Sequence, residues 1–146
     1  MHDKILSDYA ALILRVSMGL LFLAHGFILK VLTFTPAGTA AYFQSIGYPA
    51  ALAYVTIAAE TLGGLALIAG IRVRLVSIAF VPLMIGAALQ HTGNGWTFSN
   101  PGGGWEFPVF WTILLLVQAL LGHGAFSAEN LVHRNPEVRS AALATA

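Results

Sequence analysis

Cysteine is absent from the 146 residues of this chain, and charged residues are scarce. Without cysteine the chain cannot form disulfides, exchange thiols, or hold a metal or an iron–sulfur cluster through thiolates. Lys, Arg, Asp and Glu make up 9% of the residues, whereas an ordinary soluble domain has about 25%. The net charge is only +1. Because no basic surface is available to follow phosphates, nucleic acid is excluded as a partner.

Hydrophobic residues are what the chain has in quantity, at 58% of the sequence. A soluble protein of this length needs more polar side chains than this to cover its surface. The composition therefore predicts an integral membrane protein in contact with the lipid bilayer. The length allows a single domain, which we take as residues 1–146.

Four apolar stretches predict membrane-spanning helices, and hence an all-α four-helix bundle. They cover about 9–32, 50–71, 75–91 and 107–121. The last two are short against the ~20 residues that a span needs, but tilt or local thinning of the bilayer accommodates that. The opening residues lack the pattern of a cleaved secretory signal, so we expect the first stretch to stay in place as a helix.

The basic residues outside these stretches indicate the orientation. They are Lys4, Arg72, Arg74, Arg134 and Arg139. The two longer connections, 31–49 and 92–105, contain no Lys or Arg. The positive-inside rule then predicts that both termini are cytoplasmic, including a short tail over 125–146, and that the two longer connections are outside.

Glu60 is the most informative single residue, since it lies in the middle of an apolar stretch with no other charge. A carboxylate in the bilayer is costly unless it is paired, protonated or faces a polar cavity. Along a helix Arg15 rises roughly 9 Å and Glu60 roughly 16 Å from the inner ends of their spans. The offset of about 7 Å is within reach of an arginine side chain, which predicts an Arg15–Glu60 ion pair. Such a pair either sets the charge of a ligand site or only fixes helix register.

Helical spacing places these two residues on stripes that we expect to face each other. The stripe of the first span carries Arg15, Gly19, Phe22 and Gly26, and that of the second carries Thr56, Glu60 and Gly64. Small residues on such stripes allow close helix packing. The glycines could pack inside one chain or against a second copy, so a homo-oligomer stays open.

His25 and His91 form a second candidate group. Both lie about 24 Å from the inner ends of their spans, at about 1.5 Å per residue, on helices that run in the same direction. Glu106, at the outer mouth of the fourth span, can approach the same layer. Two imidazoles and a carboxylate can bind a first-row metal, hydrogen-bond a quinone carbonyl or relay protons. Alternatively, each histidine only caps the outer end of its helix and is hydrated.

With these residues placed, the chain resembles the DoxX family. The resemblance covers roughly residues 9–130. It is carried by the run from Leu14 to Gly26 with Lys30 after it, Glu60 to Leu67, Gly70 to Arg74, His91 before a Gly/Trp-rich loop, and Gly122 to Ser127. It implies a multi-pass protein of the bacterial-type inner (plasma) membrane. Some members of the family are subunits of a thiosulfate:quinone oxidoreductase or belong to oxidative-stress membrane complexes.

Two kinds of function follow as hypotheses. In the first, the protein is a membrane subunit of a redox system that binds a quinone, with Arg15, His25, Glu60, His91 and Glu106 around the ligand. No redox cofactor motif occurs on the chain, so a soluble enzyme partner would supply the electrons. In the second, the protein is a scaffold that anchors a soluble enzyme. A metal site at His25, His91 and Glu106 is a variant of either.

Overall fold

Backbone hydrogen bonds in so apolar a chain are best satisfied within each segment, which favours helices. The computed structural model describes residues 2–134, and over that range it is helical, with no strand. The all-α prediction is confirmed. The helices are α1 (His2–Leu23), continued by a π-helical segment (Ala24–Thr33), then α2 (Pro36–Ser45), α3 (Ala50–Ala69), α4 (Val73–His91), α5 (Glu106–Leu121) and α6 (Ala128–Arg134).

Three of these helices are long and apolar enough to cross a membrane: His2–Thr33, Ala50–Ala69 and Val73–Asn94. Helix α5 is also apolar but has only 16 residues. Large apolar side chains face outward along the helices, with Leu62 66% exposed and Leu120 79% exposed. Such a surface suits acyl chains, so the protein is a membrane protein. The count of four spans and the side on which the termini lie stay predictions.

The connection over 31–49, which we expected to be a loop, contains a helix of its own. Helix α2 begins with Pro36 in its first turn, and the Thr35 hydroxyl accepts a hydrogen bond from the Gly38 N–H. These are ordinary start signals for a helix. After α5, Ser127 Oγ accepts a hydrogen bond from the Asn130 N–H and caps the start of α6. Arg139 and the predicted tail beyond residue 134 lie outside the described residues.

The core is built from side chains of α1, α3, α4 and α5. At its centre Phe22 of α1 stacks on Phe80 of α4, with ring centroids 3.8 Å apart and planes within 5°. The edge of Trp111, from α5, packs on Phe22 at 5.1 Å. Aromatic contacts of this kind add to the energy of burial. They hold three helices together beneath the polar cluster described below.

Helices α1 and α3 cross closely because both have glycine at the crossing. A Cβ added to Gly64 would lie 2.8 Å from the Gly19 carbonyl oxygen, and one added to Gly19 would lie 2.7 Å from the Gly64 carbonyl oxygen. The glycine stripe therefore packs inside the monomer. Gly26 continues this close approach, since a Cβ there would lie 2.6 Å from Glu60 Cβ. The crossing brings the backbone of the π-helical segment directly against Glu60.

Candidate functional site

A partly buried ion pair between Lys30 and Glu60 is the centre of the candidate site. Lys30 Nζ lies 2.6 Å from Glu60 Oε2 and donates a hydrogen bond to it. The side chain of Glu60 is 7% exposed and that of Lys30 is 19% exposed. Glu60 comes from the middle of α3, and Lys30 comes from the π-helical segment. A paired carboxylate avoids the cost of an isolated charge in the bilayer.

The π-helical segment explains why Lys30 can reach this position. Its hydrogen bonds span five residues, as in the Phe34 N–H donating to the Leu29 carbonyl at 2.8 Å. In an α-helix two residues five apart are separated by about 140° around the axis, at 100° per residue. Hydrogen bonding across five residues brings them closer to one side. His25 and Lys30, five apart, can therefore both approach Glu60, and π-helical turns are often found at functional sites.

His25 completes the cluster from the start of the same segment. Its Nδ1 lies 2.9 Å from the Leu21 carbonyl oxygen, a partner that can only accept. Nδ1 therefore carries the proton, and Nε2 offers a lone pair when the ring is neutral. The imidazole packs against Trp111 edge to face at 5.1 Å. It also lies within Coulombic reach of the Glu60 carboxylate.

Two threonines flank what we call the His25–Lys30–Glu60 cluster. The Thr39 hydroxyl of α2 donates to the Lys30 carbonyl at 3.0 Å, which ties α2 to the π-helical segment. Thr61, next to Glu60 on α3, has a buried hydroxyl oxygen with no hydrogen-bond partner among the described residues. The cluster is thus held in place by its backbone and has additional polar groups at its edge.

The predicted Arg15–Glu60 ion pair is wrong. Arg15 is 1% exposed, and all five of its N–H groups donate to carbonyl oxygens. The acceptors belong to Leu67, Ile68, His123, Ala125 and Phe126. Two of them are in the last turn of α3, where carbonyls have no helical partner and the helix dipole favours a cation. The guanidinium therefore points to the end of α3 and away from its middle.

His91 and Glu106 have their hydrogen-bond partners in the loop between α4 and α5, and neither is bonded to His25. The Nδ1 of His91 lies 3.1 and 3.0 Å from the carbonyl oxygens of Gly102 and Gly103. Glu106 Oε2 accepts from the Phe98 N–H at 3.2 Å. Both side chains thus hold the loop between α4 and α5. Within residues 2–134 no group of three or more His, Asp or Glu is placed to hold a metal ion, which argues against the alternative of a metal site at His25, His91 and Glu106.

Comparison with known proteins identifies the family. A family model described as DoxX matches residues 10–93, more than half of the chain. The chain belongs to the DoxX family. The matched residues include His25, Lys30 and Glu60, so the whole cluster lies within the part of this DoxX protein that matches the family model.

One curated relative has a name that refers to redox chemistry. The chain is 37% identical over 82 residues to a Bacillus subtilis (strain 168) protein named "Putative oxidoreductase CatD". The match covers 56% of this chain and 59% of that relative. No solved structure matches this DoxX chain significantly.

Sequence reasoning missed Lys30 as the partner of Glu60. Lys30 was named only for the family resemblance, because Arg15 was expected to be the partner of Glu60. A usable signal was present all the same: Lys30 is the only Lys or Arg between Arg15 and Arg72. Once Arg15 is bonded elsewhere, Lys30 is the only other Lys or Arg within the four predicted spans.

Proposed function

We propose that this DoxX protein is the membrane subunit of a redox system and that the His25–Lys30–Glu60 cluster binds a quinone or a similar small carbonyl ligand. The observation that carries the proposal is the Lys30–Glu60 ion pair, partly buried beside His25 on a π-helical segment of ten residues. Ionisable groups inside a membrane protein mark ligand or proton sites by default. This cluster includes three of them within one crossing of two helices.

The chemistry of the cluster suits both redox forms of such a ligand. The ammonium of Lys30 has three protons, of which Glu60 binds one. The remaining protons can donate to a carbonyl oxygen of the oxidised ligand. The Nε2 of His25 can accept from a hydroxyl of the reduced ligand. Hydrogen bonds in these low-dielectric surroundings are stronger than in water.

The relative's name supports the redox part of the proposal. Because the chain has no cysteine and no recognised cofactor motif, we infer that electrons reach the ligand from a soluble partner enzyme at the membrane surface. In the orientation predicted from the basic residues, the cluster lies nearer to the outer leaflet of a bacterial-type inner membrane, because it is at the outer part of the first span. The protein is then a non-autonomous subunit, active only with its partner.

The test is quinone binding by the purified protein in phospholipid nanodiscs, with a short-chain ubiquinone or menaquinone as the probe. We expect saturable binding to the wild type. We expect Lys30→Met to weaken it by about tenfold, the effect of losing one hydrogen bond from a charged donor. His25→Ala should weaken it similarly, whereas the matched histidine variant His91→Ala should bind as the wild type does, since His91 bonds the loop.

The double variant Lys30→Met/Glu60→Gln separates folding from binding, because it leaves no unpaired charge in the bundle. We expect it to fold and to bind weakly. Quinone binding that is equal in the wild type, Lys30→Met and His25→Ala would contradict the proposed site. Loss of binding in His91→Ala alone would contradict it too.

A further inference from the structure

A second polar site lies at the opposite end of the molecule from the His25–Lys30–Glu60 cluster along α1. The fold brings together two segments that are far apart in the sequence, the link between α3 and α4 and the turn after α5. Between them is a cavity of about 300 Å³. It is lined by Arg72, Arg74, Leu75, His123 and Glu129. We call it the Arg72–Arg74 cavity.

The two guanidinium groups of this cavity have no partner in the part of the chain that the structure describes. Neither Arg72 nor Arg74 donates a side-chain hydrogen bond or joins an ion pair within residues 2–134. The Arg74 guanidinium lies over Gly122, where a Cβ would be 3.0 Å from its Nε. Contact with a glycine backbone leaves the guanidinium N–H groups free to bind an acceptor in the cavity.

Glu129 does not neutralise these arginines directly. Its Oε1 accepts from the backbone N–H of Arg72 at 2.7 Å. Arg72 has a φ of +44°, a conformation that costs energy in any residue except glycine, and this hydrogen bond helps to hold it. Counting two arginines and one carboxylate, and neutral His123, the cavity has a net charge of +1. That charge matches one singly charged phosphodiester.

His123 forms a fixed wall of the cavity. Its Nδ1 lies 3.1 Å from Ser127 Oγ, and its Nε2 lies 3.9 Å from Glu129 Oε2. Ser127 is buried and also caps α6, so the imidazole is bonded to the start of that helix. Since His123, Arg72 and Arg74 come from separate elements, the cavity exists only in the folded chain.

The position of the cavity indicates which anion it meets. Helix α3 ends at Ala69, α4 begins at Val73 and α5 ends at Leu121, so three helix ends meet here. The ends of spanning helices lie at the level of lipid headgroups. Exposed apolar side chains surround the cavity, among them Ile71 and Leu75. Basic pockets between helices at this level bind the phosphates of anionic lipids.

We propose that the Arg72–Arg74 cavity binds the phosphate of an anionic phospholipid headgroup, such as that of phosphatidylglycerol. The guanidinium groups donate paired hydrogen bonds to the phosphate oxygens. The acyl chains of this lipid then extend along the exposed apolar face of α4, which continues from Leu75 through Ile78 to Ile85. The site is independent of the proposed quinone cluster and stands if that proposal fails.

The experiment titrates lipid into detergent-purified protein and measures bound lipid by native mass spectrometry. Phosphatidylglycerol, phosphatidylcholine and inorganic phosphate are compared as probes. The variants are Arg74→Gln and Arg72→Gln, with Lys4→Gln as the control for loss of an exposed positive charge that is not part of the cavity lining. We expect phosphatidylglycerol to bind the wild type about tenfold more tightly than phosphatidylcholine does, and Arg74→Gln and Arg72→Gln each to remove most of that preference.

Lys4→Gln is expected to keep the full preference for phosphatidylglycerol. Equal binding of the two lipids to the wild type would overturn the proposal. So would an equal loss in Lys4→Gln and Arg74→Gln, because it would show attraction to net charge only. Saturation of the cavity by inorganic phosphate, with no added preference for the lipid, would show a free-phosphate site and overturn the lipid assignment. Thermal midpoints of all variants without lipid verify that each one is folded.

Discussion

Arg15 shows how a single residue can hold separate parts of this membrane protein together. Its five N–H groups bond the last turn of α3 and the turn after α5, at donor–acceptor distances of 3.0 Å or less. Arg15 itself belongs to α1, so three parts of the fold meet at one guanidinium. The planar group has as many donors as the site has acceptors, which lysine cannot reproduce.

We therefore expect Arg15→Lys to destabilise the fold by about 3 kcal/mol, since at least two bonds from a charged donor are lost at roughly 1.5 kcal/mol each. Unfolding by SDS titration in mixed micelles measures the change. The exchange Lys4→Arg, on the exposed start of the same helix, is the control and should alter stability by less than about 0.5 kcal/mol. Wild-type stability in Arg15→Lys would show that the carbonyl contacts are not formed.

Helical spacing alone predicted which residues of α1 are buried, but it did not predict the hydrogen-bond partners of the buried charged residues. The stripe Arg15, Gly19, Phe22 and Gly26 is buried as predicted, because α-helical spacing decides which face a residue occupies. The partner of Glu60 was predicted wrongly, because a guanidinium in reach of several free carbonyls does not need a carboxylate. A choice between competing acceptors depends on coordinates that spacing does not provide.

At the scale of helices, the crossing of α1 and α3 positions the candidate site. Gly19 and Gly64 let the two backbones approach until each glycine Cα faces the other's carbonyl oxygen. The same crossing continues to Gly26 and Glu60. In a membrane such close packing replaces the hydrophobic effect as the source of helix association.

Gly64→Ala should therefore destabilise the protein by roughly 1–3 kcal/mol, the usual cost of overpacking, because its Cβ would lie 2.8 Å from the Gly19 carbonyl oxygen. Gly86→Ala is the matched control in α4, since a Cβ there meets nothing within 4 Å. That control should be neutral or gain up to about 1 kcal/mol from helix propensity. The thermal midpoints of both variants in detergent measure the difference. Equal midpoints would contradict the close contact of α1 and α3 at Gly64.

The existence of the helices was predictable from the sequence, and the π-helical segment was not. Continuous apolar runs with few charges predict helices whatever the tertiary contacts are. A change from α to π hydrogen bonding is a local distortion, and the residues from Ala24 to Thr33 include no proline to indicate it. Helix α2 was missed for a different reason, since its ten residues are too few and too weakly amphipathic for a periodic signal.

At the scale of the whole molecule, composition determined the class of protein. A chain with 58% hydrophobic residues exposes apolar side chains on most of its lateral surface, and that surface needs lipid. Two of its polar sites are proposed to bind ligands, the His25–Lys30–Glu60 cluster and the Arg72–Arg74 cavity. If both proposals hold, one end of the bundle is for a redox ligand and the other is for a lipid headgroup.

The predicted orientation can be tested directly, because the absence of cysteine makes every single-cysteine variant unambiguous. Gln44→Cys and Ser99→Cys are exposed positions in the two connections without Lys or Arg. We expect a membrane-impermeant maleimide to label both in intact cells, as the positive-inside rule requires. Asp3→Cys should be labelled only after the membrane is opened. Labelling of Asp3→Cys in intact cells would reverse the assigned orientation.

The π-helical segment makes chain length between His25 and Lys30 a determinant of chemistry. One residue added there would put the two six apart, which is about 240° around an ordinary α-helix, whereas one residue removed would leave them four apart, or about 40°, at 100° per residue. With the added residue Lys30 would leave the carboxylate, and α2, bonded to the Lys30 carbonyl through Thr39, would turn with it. Insertions in this stretch, more than substitutions or deletions, are therefore the changes by which a related chain could lose the ion pair yet retain its helices.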